Sequence, residues 1–285
     1  MVWEVTLRNL KNDWKYKFKL LFNSMYTAIN LALFTIIAET LNPTEGALPE
    51  DYGDDGFLKF LFLGTYLWAL FTRPFEDTVN CLPEETQKGT LGLLITNRVT
   101  VTKILMGRFL ASFIISTCLA TAVVMPFLGL LGMLTMQTLI MLPVILLVFF
   151  SMMIFMLCIS LWVASFSLLF KKTGVLANVF IYGLKVATGM YFPVFGMGNT
   201  ALLLGAIPIS SGIVLLRDIF ITGVPQGHGI EGKITWMGWE TTPAQFIEFV
   251  VLSQVIGVLA LAFIAYLSIK GYTKKAKLMG TIETY

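Results

Sequence analysis

LASFIISTCLATAVVMPFLGLLGMLTMQTLIMLPVILLVFFSMMIFMLCISLWVASFSLLF, residues 110–170, runs for 61 residues without an Asp, Glu, Lys or Arg. A bilayer's hydrocarbon core is about 30 Å thick, and ~20 helical residues cross it. The stretch therefore holds two crossings and the connection between them, a pattern that no soluble core explains. Composition agrees: hydrophobic residues are 56% of the 285-residue chain and charged residues 13%, against roughly 45–50% and 25% in ordinary globular chains.

Outward from this stretch, further apolar runs give spans at 20–41, 57–73, 104–130, 139–170, 174–196 and 244–270. The second is short in apolar terms, and Arg73, near its inner end, can snorkel to the interface. The fourth is longer than one crossing needs, so it tilts, breaks near Pro143 or projects beyond the bilayer. The fold class expected is an all-α polytopic membrane protein with six transmembrane helices in a domain of residues 20–285.

Residues 1–19 form a separate element. Trp3, Leu7, Leu10, Trp14 and Phe18 recur every three or four positions, while Arg8, Lys11, Lys15 and Lys19 fall largely on other faces. A basic amphipathic helix with tryptophans suits the membrane–water interface. These charged, amphipathic first residues lack the compact apolar run of a cleavable signal peptide.

Basic residues set the expected orientation. Arg8, Lys11, Lys15, Lys17 and Lys19 precede span one. Lys88, Arg98, Lys103 and Arg108 lie between spans two and three, Lys171 and Lys172 between four and five, and Lys270, Lys274, Lys275 and Lys277 near the end. The first loop of the opposite side carries Glu45, Glu50, Asp51, Asp54 and Asp55. Both termini are expected in the cytoplasm, with the chain in the cell membrane. An even span count then requires residues 201–221 not to cross. Pro208 interrupts that run and Arg217–Asp218 would be costly at mid-bilayer, so an external re-entrant helical hairpin between spans five and six is expected, within a hairpin and loop of residues 197–243. The three cysteines, Cys81, Cys118 and Cys158, are odd in number and widely spaced, and read as small membrane-buried residues without disulfide or metal-ligand spacing.

The most informative polar segment lies at 80–103. In LPEETQKGTLGLLITNRVTVTKILMGR, residues 82–108, the carboxylates Glu84 and Glu85 precede Gly89 and Thr90, which restart a helix. Leu91, Leu94 and Ile95 follow at helical spacing, then a turn at Thr96, Asn97 and Arg98. A short amphipathic helix across the inner end of two spans anchors its apolar face in the bundle and leaves a polar face for a soluble partner.

This segment resembles the loop between spans two and three in permeases of the ABC-2 type, the membrane-spanning subunits of exporters for drugs, lipid-linked glycans and antibiotics. The matching residues are Glu84, Glu85, Gly89, Thr90, Leu91, Leu94, Ile95, Gly107 and Arg108. Gly92 stands where the family usually has an acidic residue, and Arg98 where proline is common. Phe192-Pro193, Ile207-Pro208, Arg217 and Gly223 resemble the family's end of span five and the paired external helices after it. The resemblance implies two soluble ATPase subunits that carry ATP and Mg, and pairing of the chain with itself or a paralogous permease. It also implies an ATPase-coupling role for Glu84, Glu85, Gly89, Thr90, Leu91, Leu94 and Arg98.

No nucleotide site is expected in the chain itself. A P-loop reads G-x-x-x-x-G-K-[ST] between a strand and a helix, whereas Gly227–Lys233 is followed by Ile234 and falls in the external loop. Lys185 is the conspicuous charge, midway along span five. An ionised amine facing lipid there costs at least ~2.5–3.5 kcal/mol, so it faces the bundle interior, a water-filled path or a dimer seam. It either contacts an anionic part of a substrate or gates the path, or it bonds carbonyls or a carboxylate such as Glu39. His228 is the sole histidine, so no His-paired metal or Ser-His-Asp site is expected. The expected function is ATP-driven export of an amphipathic, lipid-like or drug-like substrate. Export of a polysaccharide or glycolipid, and a non-transporting membrane anchor for an ATPase complex, are the alternatives. Membrane lipids are the further partner, and nucleic acid is not expected.

Overall fold

The computed structural model describes residues 2–40, 52–53, 55–97, 99–168, 174–190, 207–225 and 243–278. Among these residues every regular element is helical. The helices are α1 (Val2–Lys15), α2 (Lys17–Thr40), α3 (Gly56–Val79), α4 (Cys81–Gln87), α5 (Leu91–Thr96), α6 (Val101–Leu130), α7 (Met136–Ile140), α8 (Leu142–Ser165), α9 (Gly174–Ala187), α10 (Pro208–Thr222) and α11 (Pro243–Leu278).

Four segments are long and apolar enough to cross a membrane: Leu20–Ala38, Val101–Leu130, Leu142–Leu168 and Ala244–Lys275. Their outward surfaces are apolar, as lipid contact requires. On α2, Phe22, Ile29 and Ile36 are exposed, and on α11 so are Ile256, Leu259 and Phe263. Continuous apolar exposure of this extent is foreign to a monomer in water. The chain is an all-α membrane protein.

Two of the six expected spans fall outside those four. Helix α3 carries Lys59, Arg73, Glu76 and Asp77, which lower its apolar character although it is the central helix of the bundle. Its Leu63, Phe71 and Phe75 are fully buried, and it packs against α2, α6 and α8. Helix α9 is described for 14 residues, and the expected remainder of span five, 191–196, lies outside the described residues. The fourth expected span, 139–170, breaks near Pro143: α7 ends at Ile140, and α8 starts at Leu142 with the proline in its first turn. Proline lacks an N–H that the first turn does not need, so it starts a helix well.

Helix α1 packs along α6 with its polar side inward. Thr6, Asn9 and Asp13 are buried, whereas Trp3 and Trp14 are 59% and 68% exposed. Close approach is possible because α6 has glycine at the crossing: a Cβ on Gly107 would stand 2.7 Å from Val5 Cγ1. Helix α10 covers the residues expected to form the second arm of the hairpin. The expected first arm, which starts from residue 197, falls outside the described residues, as does loop 226–242. Twelve of the fifteen residues of α10 are buried, and it packs on α11, α8 and α3. At 1.5 Å per residue it is about 22 Å long, short of the hydrocarbon thickness.

The buried charges of α10 have separate partners. The Arg217 guanidinium donates to the carbonyls of Gly189 at 3.0 Å and Met190 at 2.8 Å, just beyond α9, and lies 3.6 Å from the centre of the Phe60 ring. A cation just past the C-terminal end of α9 also suits the negative end of that helix's dipole. Asp218 accepts from the Tyr52 hydroxyl at 2.7 Å.

Candidate functional site

Helices α4 and α5 form a compact unit between α3 and α6. Helix α4 ends in a glycine cap: Gly89 has φ +68°, its N–H donates to Thr86 O, and the Thr90 N–H donates to Glu85 O. This is the Schellman pattern, in which a residue without Cβ takes the left-handed conformation and closes the last carbonyls. It folds α5 back across the bundle. Cys81, Leu82 and Leu91 sink into the main core, and Leu94 packs against it half-buried. Gly92, Leu93, Thr96 and Asn97 remain exposed.

The two carboxylates of this unit have different environments. Glu85 is 13% exposed, accepts from Arg8 Nη2 of α1 at 2.6 Å, and also accepts from the Thr90 hydroxyl. Glu84 is 42% exposed and pairs with Lys88 one turn on, at 3.3 Å. Glu85 therefore ties α4 to α1 and to the start of α5, whereas Glu84 faces outward. Arg98 and the Ile95 side chain lie outside the described residues.

A second tie lies deeper. Arg108 of α6 donates from Nη1 to Asp13 of α1 at 3.1–3.2 Å, and its Nη2 stands 3.1 Å from Asp77 of α3. Asp77 also accepts from Ser112 and stands 3.6 Å from Arg73 Nε. These ion pairs link α1, α3 and α6 beside the α4–α5 unit. Asp13 and Asp77 are the residues that sequence reasoning missed. The available signal is the polar stripe of Thr6, Asn9 and Asp13 on α1, spaced by three and four residues. Next to this cluster the Cys81 thiol of α4 is pushed up to about 12 by burial, with Arg108 pulling the other way and Glu85 and Glu84 adding to the rise.

Lys185 occupies the last turn of α9, at the edge of a cavity of about 300 Å³ bounded by α2, α3, α6 and α9. Its ammonium stands 5.4 Å from the centre of the Tyr182 ring. The carboxylate within electrostatic reach is Glu76 of α3, on the same cavity wall, and the Glu39 side chain lies outside the described residues. The remaining wall combines amides and hydroxyls, such as Asn23, Asn30 and Ser116, with the rings of Tyr26 and Trp68. Among the described residues no group of three His, Cys, Asp or Glu side chains is placed to hold a metal ion.

No protein-family model matches this chain, and no curated protein matches it.

Proposed function

We propose that the chain is the permease subunit of an ATP-binding-cassette exporter, moving an amphipathic substrate out of the cytoplasm with ATP hydrolysed on separate subunits. The observation that carries this reading is the α4–α5 unit: rooted in the core by Leu82 and Leu91, fastened to α1 by Glu85–Arg8, and offering a small exposed tip. Such a unit receives force from a soluble partner and delivers it to the bundle. In this reading the unit, both termini and the Lys-rich tail are cytoplasmic, α3 and α9 complete six spans, and α10 belongs to an external hairpin.

The mechanism follows from the ties. Closure of two ATPases around ATP and Mg pushes on the tip at Leu93–Asn97. The push reaches α1 through Glu85–Arg8, and α3 and α6 through the chain itself and Arg108. A driven switch requires the partner to contact two states of the bundle differently, and inward- and outward-open arrangements supply them. The polar cavity beside Lys185 lies where α2 and α9 meet α3, and accounts for charged residues at membrane depth better than a non-transporting anchor does.

The test is co-purification. A tagged chain from native membranes brings down an ATPase whose hydrolysis, in nanodiscs, rises with an amphipathic substrate. Glu84→Lys lowers that coupled hydrolysis while leaving the melting temperature of the chain in place. A single cysteine at position 93, in a cysteine-free background, is labelled from the cytoplasmic side. Labelling from the outer side only, or coupled hydrolysis indifferent to Glu84→Lys, overturns the proposal.

A further inference from the structure

The cavity bounded by α2, α3, α6 and α9 contains an unmet demand for hydrogen-bond acceptors. Nε, Nη1 and Nη2 of Arg73 and Nε1 of Trp68 are buried without a hydrogen-bond partner, and both residues line the cavity. Trp68 is 3% exposed and the Arg73 side chain 14%. Every one of these atoms is a donor, and neither side chain can accept in return. Arg73 has only the 3.6 Å approach of its Nε to Asp77, a carboxylate already engaged by Arg108 and Ser112. Leaving a buried donor unmet is costly, more so for a charged group. Lys185 of α9 lines the same cavity as a second cation, with Glu76 as its counter-charge.

From these donors we infer a binding site for an acidic headgroup, a phosphate or carboxylate carried on an apolar body. The planar fork of Arg73 matches two oxygens of such a group at once, Trp68 Nε1 offers a third donor, and Lys185 fixes the charge at the rim. The rings of Tyr26 and Tyr182 and the outer surfaces of α2 and α9 accommodate the apolar body. The size agrees: about 300 Å³ is the lower bound for ligand pockets, enough for a headgroup but not for a whole lipid. Calling this ligand the exporter's cargo rests on the permease reading, but the site itself does not, so it is tested on the chain without an ATPase.

The purified chain in phosphatidylcholine nanodiscs is titrated with decyl phosphate, decyltrimethylammonium and inorganic phosphate. Decyl phosphate binds saturably, at least about tenfold tighter than the other two probes, the factor expected of one hydrogen bond to a charged group. Arg73→Gln weakens it by about tenfold or more, and Lys185→Gln and Trp68→Phe each by severalfold. The Phe variant keeps an aromatic ring and removes the N–H. Competition by phosphatidylglycerol added to the nanodiscs assigns the site to a bilayer lipid, and its absence assigns it to a smaller amphiphile; both uphold an acidic-headgroup site. Equal binding of decyl phosphate and decyltrimethylammonium overturns the inference. So does inorganic phosphate that binds as tightly as decyl phosphate, or parental affinity in Lys185→Gln and Trp68→Phe chains that melt like the parent. Failure here leaves the ATPase co-purification result standing, and failure there leaves this binding result standing.

Discussion

Arg8 of α1 and Glu85 of α4, 77 positions apart in sequence, meet at 2.6 Å, and this contact fastens the N-terminal helix to the short helix after α3. Arg8 is 34% exposed, so solvent screening keeps the contribution of the pair to about 1 kcal/mol. Its geometric effect is larger, because the same Glu85 also holds the Thr90 hydroxyl at the start of α5.

Glu84→Lys and Glu85→Lys therefore have different consequences. Glu85→Lys places a cation against Arg8 and lowers the thermal midpoint of the purified chain, whereas Glu84→Lys does not. Combining Arg8→Glu with Glu85→Lys recovers part of the loss. A double-mutant cycle of melting temperatures measures the coupling, about 1 kcal/mol.

The α1–α6 crossing is sensitive to one methyl group. A Cβ at Gly107 would lie 2.7–2.8 Å from Val5 side-chain atoms, so Gly107→Ala destabilises by about 1–3 kcal/mol through overpacking. Val5→Ala relieves the clash, and the double variant regains most of the loss. Limited proteolysis before α2 and thermal melting both report it.

Removing Arg217 leaves the carbonyls of Gly189 and Met190 without their donors. Arg217→Met costs about 2 kcal/mol or more, since each unmet buried acceptor costs about 1–3 kcal/mol. Gly64→Ala acts on the same contact, because a Cβ there would collide with the Arg217 guanidinium and with Met190 O. Both variants lower the melting temperature, and their effects combine less than additively.

Cys81 gives a pH signature. Burial raises its thiol from 9.0 to about 12 in the folded chain, so between those values the native state holds a proton that the unfolded state has released. More protons on the native state means stability falls as pH rises. The loss starts near pH 9 and grows toward 12, and Cys81→Ala removes this part of the alkaline decline in melting temperature. At pH 7–8 the folded chain resists maleimide at Cys81, and denaturation in dodecyl sulfate exposes it.

The membrane character is legible in residues 110–170 alone, because a long charge-free run has few other uses. The break near Pro143 is legible as well, since proline favours a first helical turn. The sides of α1 follow from its periodicity, but the object each side meets does not: Asp13 acquires its meaning only from Arg108, 95 positions away. Glu84 and Glu85 look alike in sequence and separate only when Arg8 arrives. The adjacent Arg217 and Asp218 suggest a local pair, and the fold instead sends one to the carbonyls after α9 and the other to Tyr52. The unmet donors of Arg73 and Trp68 depend on how α2 and α9 lie beside α3, a property of packing that no spacing rule encodes.

The inward polar side of α1 has a mechanical corollary. Peeling that helix from α6 would drag the Asp13 carboxylate out of its cradle and leave Asp77 alone to balance the buried Arg108 charge. The N-terminal segment is thus unsuited to be a hinged flap. It rides with the bundle as a keel, its two tryptophans on the exposed side, so tilting the bundle must also tilt the keel.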